Sequence, residues 1–126
     1  MLDDAVKAMS AHLEGMAGNS RQHTASADKP LVVVLIDEVA ALTSYIEDRD
    51  LKILARAAMS LLCSQGRAVG YTVVACLQDP RKETIPNRGL FTQMVGLRLQ
   101  DREETSMVLG DGAVASGVLC HKIPLA

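Results

Sequence analysis

The chain has 126 residues, of which 48% are hydrophobic and 22% charged, so it can form one soluble globular domain with a packed core. The formal net charge is −2, whereas a domain that binds nucleic acid over a large surface is usually basic. Any DNA contact must therefore be local. Aromatic residues make up only 2%, which favours an aliphatic core in a helix-flanked parallel sheet over an all-β sandwich.

The N-terminal segment has the pattern of an amphipathic helix followed by a loop. Apolar residues recur at helical spacing at Leu2, Val6, Met9, Leu13 and Met16. This spacing predicts a helix over residues 2–17, which makes segment 1–17 helical. Residues 18–30 are polar, have no apolar period and end in Pro30, so they are expected to form a surface loop.

Two β-branched runs predict neighbouring strands. Residues 31–36 (LVVVLI) and 71–77 (YTVVACL) are continuously apolar, as in parallel strands that are buried on both faces. Between them, leucine and alanine residues repeat at helical spacing and predict a helix over 50–65. Strand, helix and strand in this order form a right-handed crossover, which places both strand ends at the same edge of the sheet.

The rest of the chain predicts shorter elements. Residues 79–89 contain two prolines and several charges and are expected to form a loop or a short interrupted helix. A third strand is predicted at 94–99 (MVGLRL), followed by a helix that Asp101 caps and that ends at Leu109. Residues 110–117 are expected to turn the chain into a last strand at 118–123 (VLCHKI).

Cysteine usage and hydropathy indicate a cytoplasmic chain. Cys63, Cys76 and Cys120 are odd in number and lack the paired spacing of a zinc site, so they are interpreted as reduced core residues. The longest apolar run is much shorter than the roughly 20 residues needed to span a bilayer, and no signal-peptide layout is present.

Polar side chains stand where the two predicted strands end. Asp37 and Glu38 follow the first strand, and Gln78 follows the second. Hydrolysis of a nucleoside triphosphate needs a carboxylate near Mg²⁺ and another that activates water, and a side-chain amide can contact the γ-phosphate. The alternative is that the carboxylates only cap the next helix and that Gln78 is an ordinary polar residue at a strand exit.

Four segments together resemble one family of motors. These are "VVVLIDEVAALT", "GRAVGYTVVACLQDP", "FTQMVGLRL" and "MVLGDGA", which are similar in order and spacing to motifs of the FtsK/SpoIIIE double-stranded-DNA translocases. The resemblance covers about residues 31–124. Within the family, the chain looks most like actinobacterial plasmid-transfer Tra proteins.

The resemblance implies an α/β fold, a RecA-like P-loop NTPase core with a parallel sheet flanked by helices, incomplete at both ends. It also implies that ATP and Mg²⁺ are the cofactors of the complete motor. Asp37 then takes the Walker B metal role, Glu38 that of catalytic base and Gln78 that of sensor. Arg67 matches a family arginine that touches a neighbouring subunit's nucleotide, although it is equally well explained as a cation at a helix C-terminus.

The chain also departs from the family pattern. No GxxxxGK[ST] phosphate-binding loop, the Walker A motif, occurs in it. Because the family places this loop upstream of Walker B, we expect residues 1–126 to be a partial motor domain that is inactive by itself. Three family arginines are replaced, by Asp79, Met94 and Ser106, which puts the corresponding interface or phosphate contacts in doubt.

The family moves double-stranded DNA and assembles as a ring, a hexamer in the complete protein. The resemblance therefore implies self-association and a DNA contact. The loop after the second strand supplies Arg81, Lys82 and Arg88 as DNA-binding candidates, although charged loops usually form a solvated surface. The complete protein can also be membrane-associated.

Two function classes remain open. One is a fragment of an ATP-driven DNA translocase that serves conjugation or chromosome segregation. The other is an inactive paralogue that acts as an interaction module with intact motor subunits, which the missing phosphate loop favours for this polypeptide. A phospho-accepting receiver domain with Asp37 as acceptor ranks far behind, because the early acidic pair and the late lysine are missing.

Overall fold

The chain, seen here as a computed structural model, is described over residues 1–16, 22–81 and 88–124. Its helices and strands are α1 Leu2–Met16, β1 Val32–Ile36, α2 Ala40–Thr43, α3 Arg49–Gln65, β2 Tyr71–Ala75, α4 Arg102–Leu109 and α5 Asp111–Ala115. Short 3₁₀ turns lie at Gly66–Val69, Arg88–Leu90 and Cys120–Lys122. Within the described ranges no helix is long and apolar enough to cross a membrane.

The two strands form a parallel pair joined by a helical crossover, as the sequence predicts. Val32 lies opposite Tyr71 and Ile36 lies opposite Ala75. β1 begins one residue later than predicted, and β2 ends two residues before Leu77. The crossover helix α3 begins where Asp48 Oδ1 accepts hydrogen bonds from the backbone N–H groups of Asp50 and Leu51, at 2.9 and 3.1 Å.

Helices α1 and α3 cover one face of the sheet. Met9 of α1, Leu62 of α3 and Tyr71 of β2 meet in one buried cluster, and each is at most 5% exposed. A second cluster joins Ile36 at the end of β1 to Val39 and to Met59 of α3. The side chains that follow the helical period of α1 and α3 therefore hold the end of β1 against the helices.

The other face of the sheet is uncovered, which corrects the expectation that both faces are buried. Leu31, Val33, Leu35 and Val74 are between 46% and 65% exposed. Cys76, expected in the core, is exposed beside them, whereas Cys63 is half-buried and Cys120 is buried. The strands are apolar on both faces, as predicted. On this second face, however, no element among the described residues packs against their side chains.

Two predicted strands are wrong. Residues 94–99 form no strand, and Val95 and Leu97 are 80% and 76% exposed without a ladder partner. Gly96 instead packs close to Cys120, where an added Cβ would lie 2.9 Å from the Sγ atom. The predicted strand at 118–123 contains the 3₁₀ turn Cys120–Lys122. An alternating apolar pattern alone does not make a strand when no neighbouring strand supplies hydrogen bonds.

The helix at 102–109 is confirmed. Asp101 Oδ1 accepts a hydrogen bond from the backbone N–H of Glu104 at 2.8 Å, which is the capping arrangement that the sequence predicts. The next stretch was expected only to turn the chain, and it contains α5, a single helical turn that packs against α4. The predicted helix over 2–17 is confirmed to Met16, and residues 17–21 lie outside the described part.

Candidate functional site at the carboxyl edge of the sheet

The strand pairing continues past the last residue of β1 but skips one position. The N–H of Cys76 donates to Ile36 O at 2.8 Å, and Cys76 O accepts from the N–H of Val39 at 3.0 Å. A regular parallel ladder would use the N–H of Glu38 at this place. Asp37 and Glu38 therefore occupy a bulge with one extra residue, a device that re-aims side chains and is common next to active sites.

Glu38 lies at the start of α2. Its Oε1 atom accepts a hydrogen bond from the backbone N–H of Ala40 at 3.0 Å, and the residue is half-buried. Val39 is the N-cap residue of α2, and Glu38, one residue earlier, satisfies the first N–H of the helix with its side chain. This bond matches the structural alternative that the sequence analysis set against catalysis. Asp37, by contrast, is exposed at the bend where the chain leaves the sheet. The two carboxylates therefore have different surroundings although they are adjacent in the chain.

Gln78 emerges at the same edge. Leu77 packs against the cluster that contains Ile36 and Val39, and this contact holds the chain end of β2 beside β1. Gln78 follows directly and is exposed. Asp37, Glu38 and Gln78 thus all follow the carboxyl ends of the two paired strands, as the parallel arrangement predicts.

Arg67 lies at the other edge of the sheet. It belongs to the 3₁₀ turn Gly66–Val69, which precedes β2, and it is exposed. Because β2 has five residues at about 3.3 Å each, roughly 16 Å of strand separates its two ends. Arg67 therefore does not join the three residues of the carboxyl edge within one chain.

The charged loop after β2 is partly described. Arg81 pairs with Asp79, whose Oδ1 lies 3.4 Å from Nε of Arg81 and also accepts from the Arg81 backbone N–H at 3.1 Å. Arg88 Nη1 donates to Pro80 O at 3.2 Å, so it holds the two ends of the loop together. Lys82 lies outside the described residues. Of the three DNA-binding candidates, Arg81 is exposed and Arg88 is half-buried.

Sequence reasoning missed the two cations that hold α2 in place. Arg56 Nη2 donates to Thr43 O at 2.8 Å, and Lys52 Nζ donates to Ser44 O at 3.2 Å. Both come from α3 and meet carbonyls at the C-terminal end of α2, where cations are favoured. Their spacing of four residues on one helix face was the available signal.

The candidate site is an open edge, not a closed cavity. No group of three or more His, Cys, Asp or Glu side chains that could hold a metal occurs among residues 1–16, 22–81 and 88–124. A depression of about 510 Å³ lies elsewhere, between α4 and α5. Its lining residues are Arg102, Glu103, Ser106, Asp111, Val114 and Ala115.

Comparison with solved structures finds a protein of similar fold. The chain is similar to the conjugation coupling protein TcpA of pCW3, whose structure was solved in its monomer form with ATPγS. The TM-score is 0.68 at 19% sequence identity, and the match covers 90% of this chain and 36% of the TcpA chain. The chain therefore shares its fold with about a third of TcpA. No protein-family model and no curated protein matches the sequence.

Proposed function

We propose that this chain is part of an ATP-driven double-stranded-DNA translocase of the FtsK/SpoIIIE type, built on a RecA-like core. The observation that supports the proposal is the bulge after β1, which holds Asp37 and Glu38 at the end of the sheet where the chain also leaves β2 toward Gln78. The likeness to TcpA, a conjugation coupling protein that was solved with ATPγS, supports a role in plasmid transfer. We place this activity in the cytoplasm.

The donor set fits part of a Mg²⁺–ATP site. Asp37 is an exposed carboxylate of the type that Mg²⁺ prefers, and we assign it the metal role. When bound, Mg²⁺ neutralises phosphate charge. Glu38 is assigned the base role and Gln78 the sensor role. The chain contains no GxxxxGK[ST] motif, so the phosphates must be held by residues that this sequence does not contain.

The remaining candidates suit contacts with other molecules. Arg67, at the opposite end of the sheet from Asp37, is assigned to a contact with a neighbouring subunit in a ring such as a hexamer. Arg81, Lys82 and Arg88 are assigned to phosphates of double-stranded DNA. The Asp79–Arg81 pair must open for Arg81 to take this role, and exposed pairs of this kind open at little cost.

A second function rests on a specific observation, the absence of the phosphate-binding motif from the sequence. In this alternative the chain is an inactive paralogue that associates with intact motor subunits and limits their activity. Residues at the carboxyl edge then have only structural roles, and the cap of α2 by Glu38 is sufficient to explain that residue.

Two measurements distinguish the motor from the inactive paralogue. The first is the nucleotide sequence upstream of Met1, and the second is an ATPase assay. An in-frame phosphate-binding loop supports the motor, and the longer protein should then hydrolyse ATP faster when double-stranded DNA is added. A stop codon directly upstream supports the paralogue, which should lower the DNA-stimulated ATPase of an intact relative when the two are mixed. A longer protein that carries the loop but ignores DNA contradicts the translocase proposal.

A further inference from the structure

Side chains hold helix α2 at both of its ends. At the start, Glu38 Oε1 accepts from the N–H of Ala40 at 3.0 Å. At the end, Arg56 Nη2 of α3 donates to Thr43 O at 2.8 Å. A single helical turn does not form by itself, because its hydrogen bonds are too few to offset the ordering of its residues. The position of α2 therefore depends on these contacts and on its packing.

The residues between the two contacts are packed as one unit. Val39 and Thr43 are 0% exposed, and Ala40 is 4% exposed. Thr43 Oγ1 donates to Val39 O at 3.1 Å, and the N–H of Val39 donates to Cys76 O at 3.0 Å. Close-packed interiors transmit a displacement instead of absorbing it. A shift at the Thr43 end of α2 therefore moves the N–H of Ala40, to which Glu38 is bound.

The two ends of α2 thus connect Arg56 to Glu38. A general base is effective only when supporting residues hold it close to its productive direction. One carboxylate oxygen of Glu38 is bound to Ala40, and this bond limits the directions that the other oxygen can take. We infer that Arg56 is a positioning residue, which acts through α2 to fix the direction in which Glu38 presents that second oxygen. Its effect on ATP hydrolysis rests on the proposed function, whereas its effect on α2 concerns the 126-residue chain itself.

Lys52 provides a matched comparison. It lies one turn before Arg56 on α3, and its Nζ atom donates to Ser44 O at 3.2 Å, next to the carbonyl that Arg56 binds. The bond of Lys52 is exposed to solvent, whereas that of Arg56 is partly buried. Water competes with exposed charged contacts, which contribute little to stability. The position of α2 should therefore depend much more on Arg56 than on Lys52.

The exchange of the Ala40 N–H with water reports how often its bond to Glu38 opens, and NMR of the 126-residue chain measures it. Arg56→Met should raise this exchange rate about 10-fold, because a hydrogen bond from a charged donor is lost. Lys52→Met should change the rate by less than about twofold. Arg56→Lys keeps a cation that can donate to a single carbonyl, so it should bring the rate back toward the wild-type value.

A general loss of stability gives a different result. It changes the exchange of amides that open only by global unfolding and leaves local opening in distant segments as it was. The N–H of Gly117, which donates to Val114 O at 3.0 Å, is a distant reporter and should exchange equally in all variants. In Glu38→Ala the N–H of Ala40 has lost its acceptor, so adding Arg56→Met should have little further effect on it.

The reaction provides the second readout. In the longer motor, Arg56→Met should lower kcat about 10-fold or more and leave KM for ATP unchanged, since it misdirects the base without touching the nucleotide. Equal Ala40 exchange in Arg56→Met and Lys52→Met, no change in either, or wild-type kcat in the longer Arg56→Met protein overturns the positioning role. A longer wild-type protein without ATPase activity contradicts the proposed function instead, and the exchange rates then decide alone whether Arg56 holds α2.

Discussion

Arg56 donates from Nη2 to the carbonyl oxygen of Thr43 at 2.8 Å, and this bond fixes the C-terminal end of α2 to α3. The N-terminal end of the same helix is fixed by Glu38, which accepts from the N–H of Ala40. A helix of four residues has little stability of its own, so these end contacts determine its position. The orientation of Glu38 therefore depends on a residue that is 18 positions further along the chain.

Arg56→Met should destabilise the domain by about 1 to 3 kcal/mol, because it removes a charged hydrogen-bond donor but keeps most of the aliphatic stem. The free energy of unfolding from urea titration measures this loss. Arg49→Met is the control, since Arg49 is exposed in the first turn of the same helix. There a cation opposes the helix dipole, and the change should stay within about 0.5 kcal/mol. Equal effects of the two variants would contradict the anchoring role.

Gly70→Ala should be much more harmful than Gly117→Ala, although both glycines have a positive φ, of 80° and 93°. A Cβ at Gly70 would meet the His23 ring, with Cγ at 2.7 Å, whereas a Cβ at Gly117 would have nothing within 4 Å. Left-handed backbone strain alone costs about 1 to 2 kcal/mol, which is the expected loss at Gly117. The loss at Gly70 should exceed it.

Thermal or urea unfolding of both variants measures the difference. The double variant His23→Ala with Gly70→Ala removes the obstructing ring and should recover the part of the loss that is due to the clash. No recovery in the double variant would show that the ring moves aside and that backbone strain alone explains the result.

The cysteines should react in a fixed order. Burial raises the pKa of the Cys63 thiol above its ordinary value, whereas Cys76 is exposed, so Cys76 should react first with a thiol reagent at pH 8. The raised pKa in the folded chain also means that the unfolded chain loses this proton at lower pH. Stability should therefore decrease as pH rises through the alkaline range, and Cys63→Ala should show a smaller decrease.

The sequence predicted the parallel pair, the crossover helix and the carboxyl edge because each depends on local composition and on a general handedness rule. The leucine and alanine spacing predicted the crossover helix but not all of its buried face: Leu62 is buried as expected, whereas Leu54 is 64% exposed and Met59, which is outside that pattern, is buried. The order of strand, helix and strand indicated that Asp37 and Gln78 lie at the same end of the sheet. These features need no knowledge of distant contacts.

The failures have one physical cause. Val95 forms a strand only if a neighbouring strand pairs with it, and Leu35 is buried only if another element packs on its face of the sheet. The local composition does not show whether such a neighbour is present. The bulge that separates the settings of Asp37 and Glu38 was also invisible, because it consists of a single shifted hydrogen bond between Val39 and Cys76. The apolar pattern of the sequence does not show where one extra residue shifts the hydrogen bonding between two strands.

This polypeptide should not bind ATP with micromolar affinity or hydrolyse it at a measurable rate. The missing loop normally supplies several backbone donors and a lysine to the phosphates, and no equivalent occurs in the sequence. Isothermal titration calorimetry with ATP and Mg²⁺ tests this, with an intact motor domain of the same type as positive control. Micromolar binding that Asp37→Asn abolishes would show that the carboxyl edge alone holds the nucleotide.

The last prediction separates the two roles of Glu38 in the longer motor, once the phosphate-binding segment is restored. Glu38→Gln keeps an oxygen that can accept from the N–H of Ala40, so α2 should stay in place and ATP should still bind. The amide cannot take a proton from water, and general bases contribute about 10² to 10⁴ in rate, so turnover should fall by that factor. Glu38→Ala loses the cap as well and should also reduce stability, by about 1 kcal/mol.

Asp37→Asn is the complementary change. It removes a charge next to the expected Mg²⁺, so the Mg²⁺ concentration for half-maximal activity should rise together with the loss of turnover. Glu38→Gln should leave that concentration nearly unchanged. ATP affinity, Mg²⁺ dependence and DNA-stimulated hydrolysis, measured side by side, distinguish the two variants. Wild-type turnover in Glu38→Gln would falsify the base assignment and leave Glu38 with the one role that its hydrogen bond to Ala40 already gives it, the cap of α2.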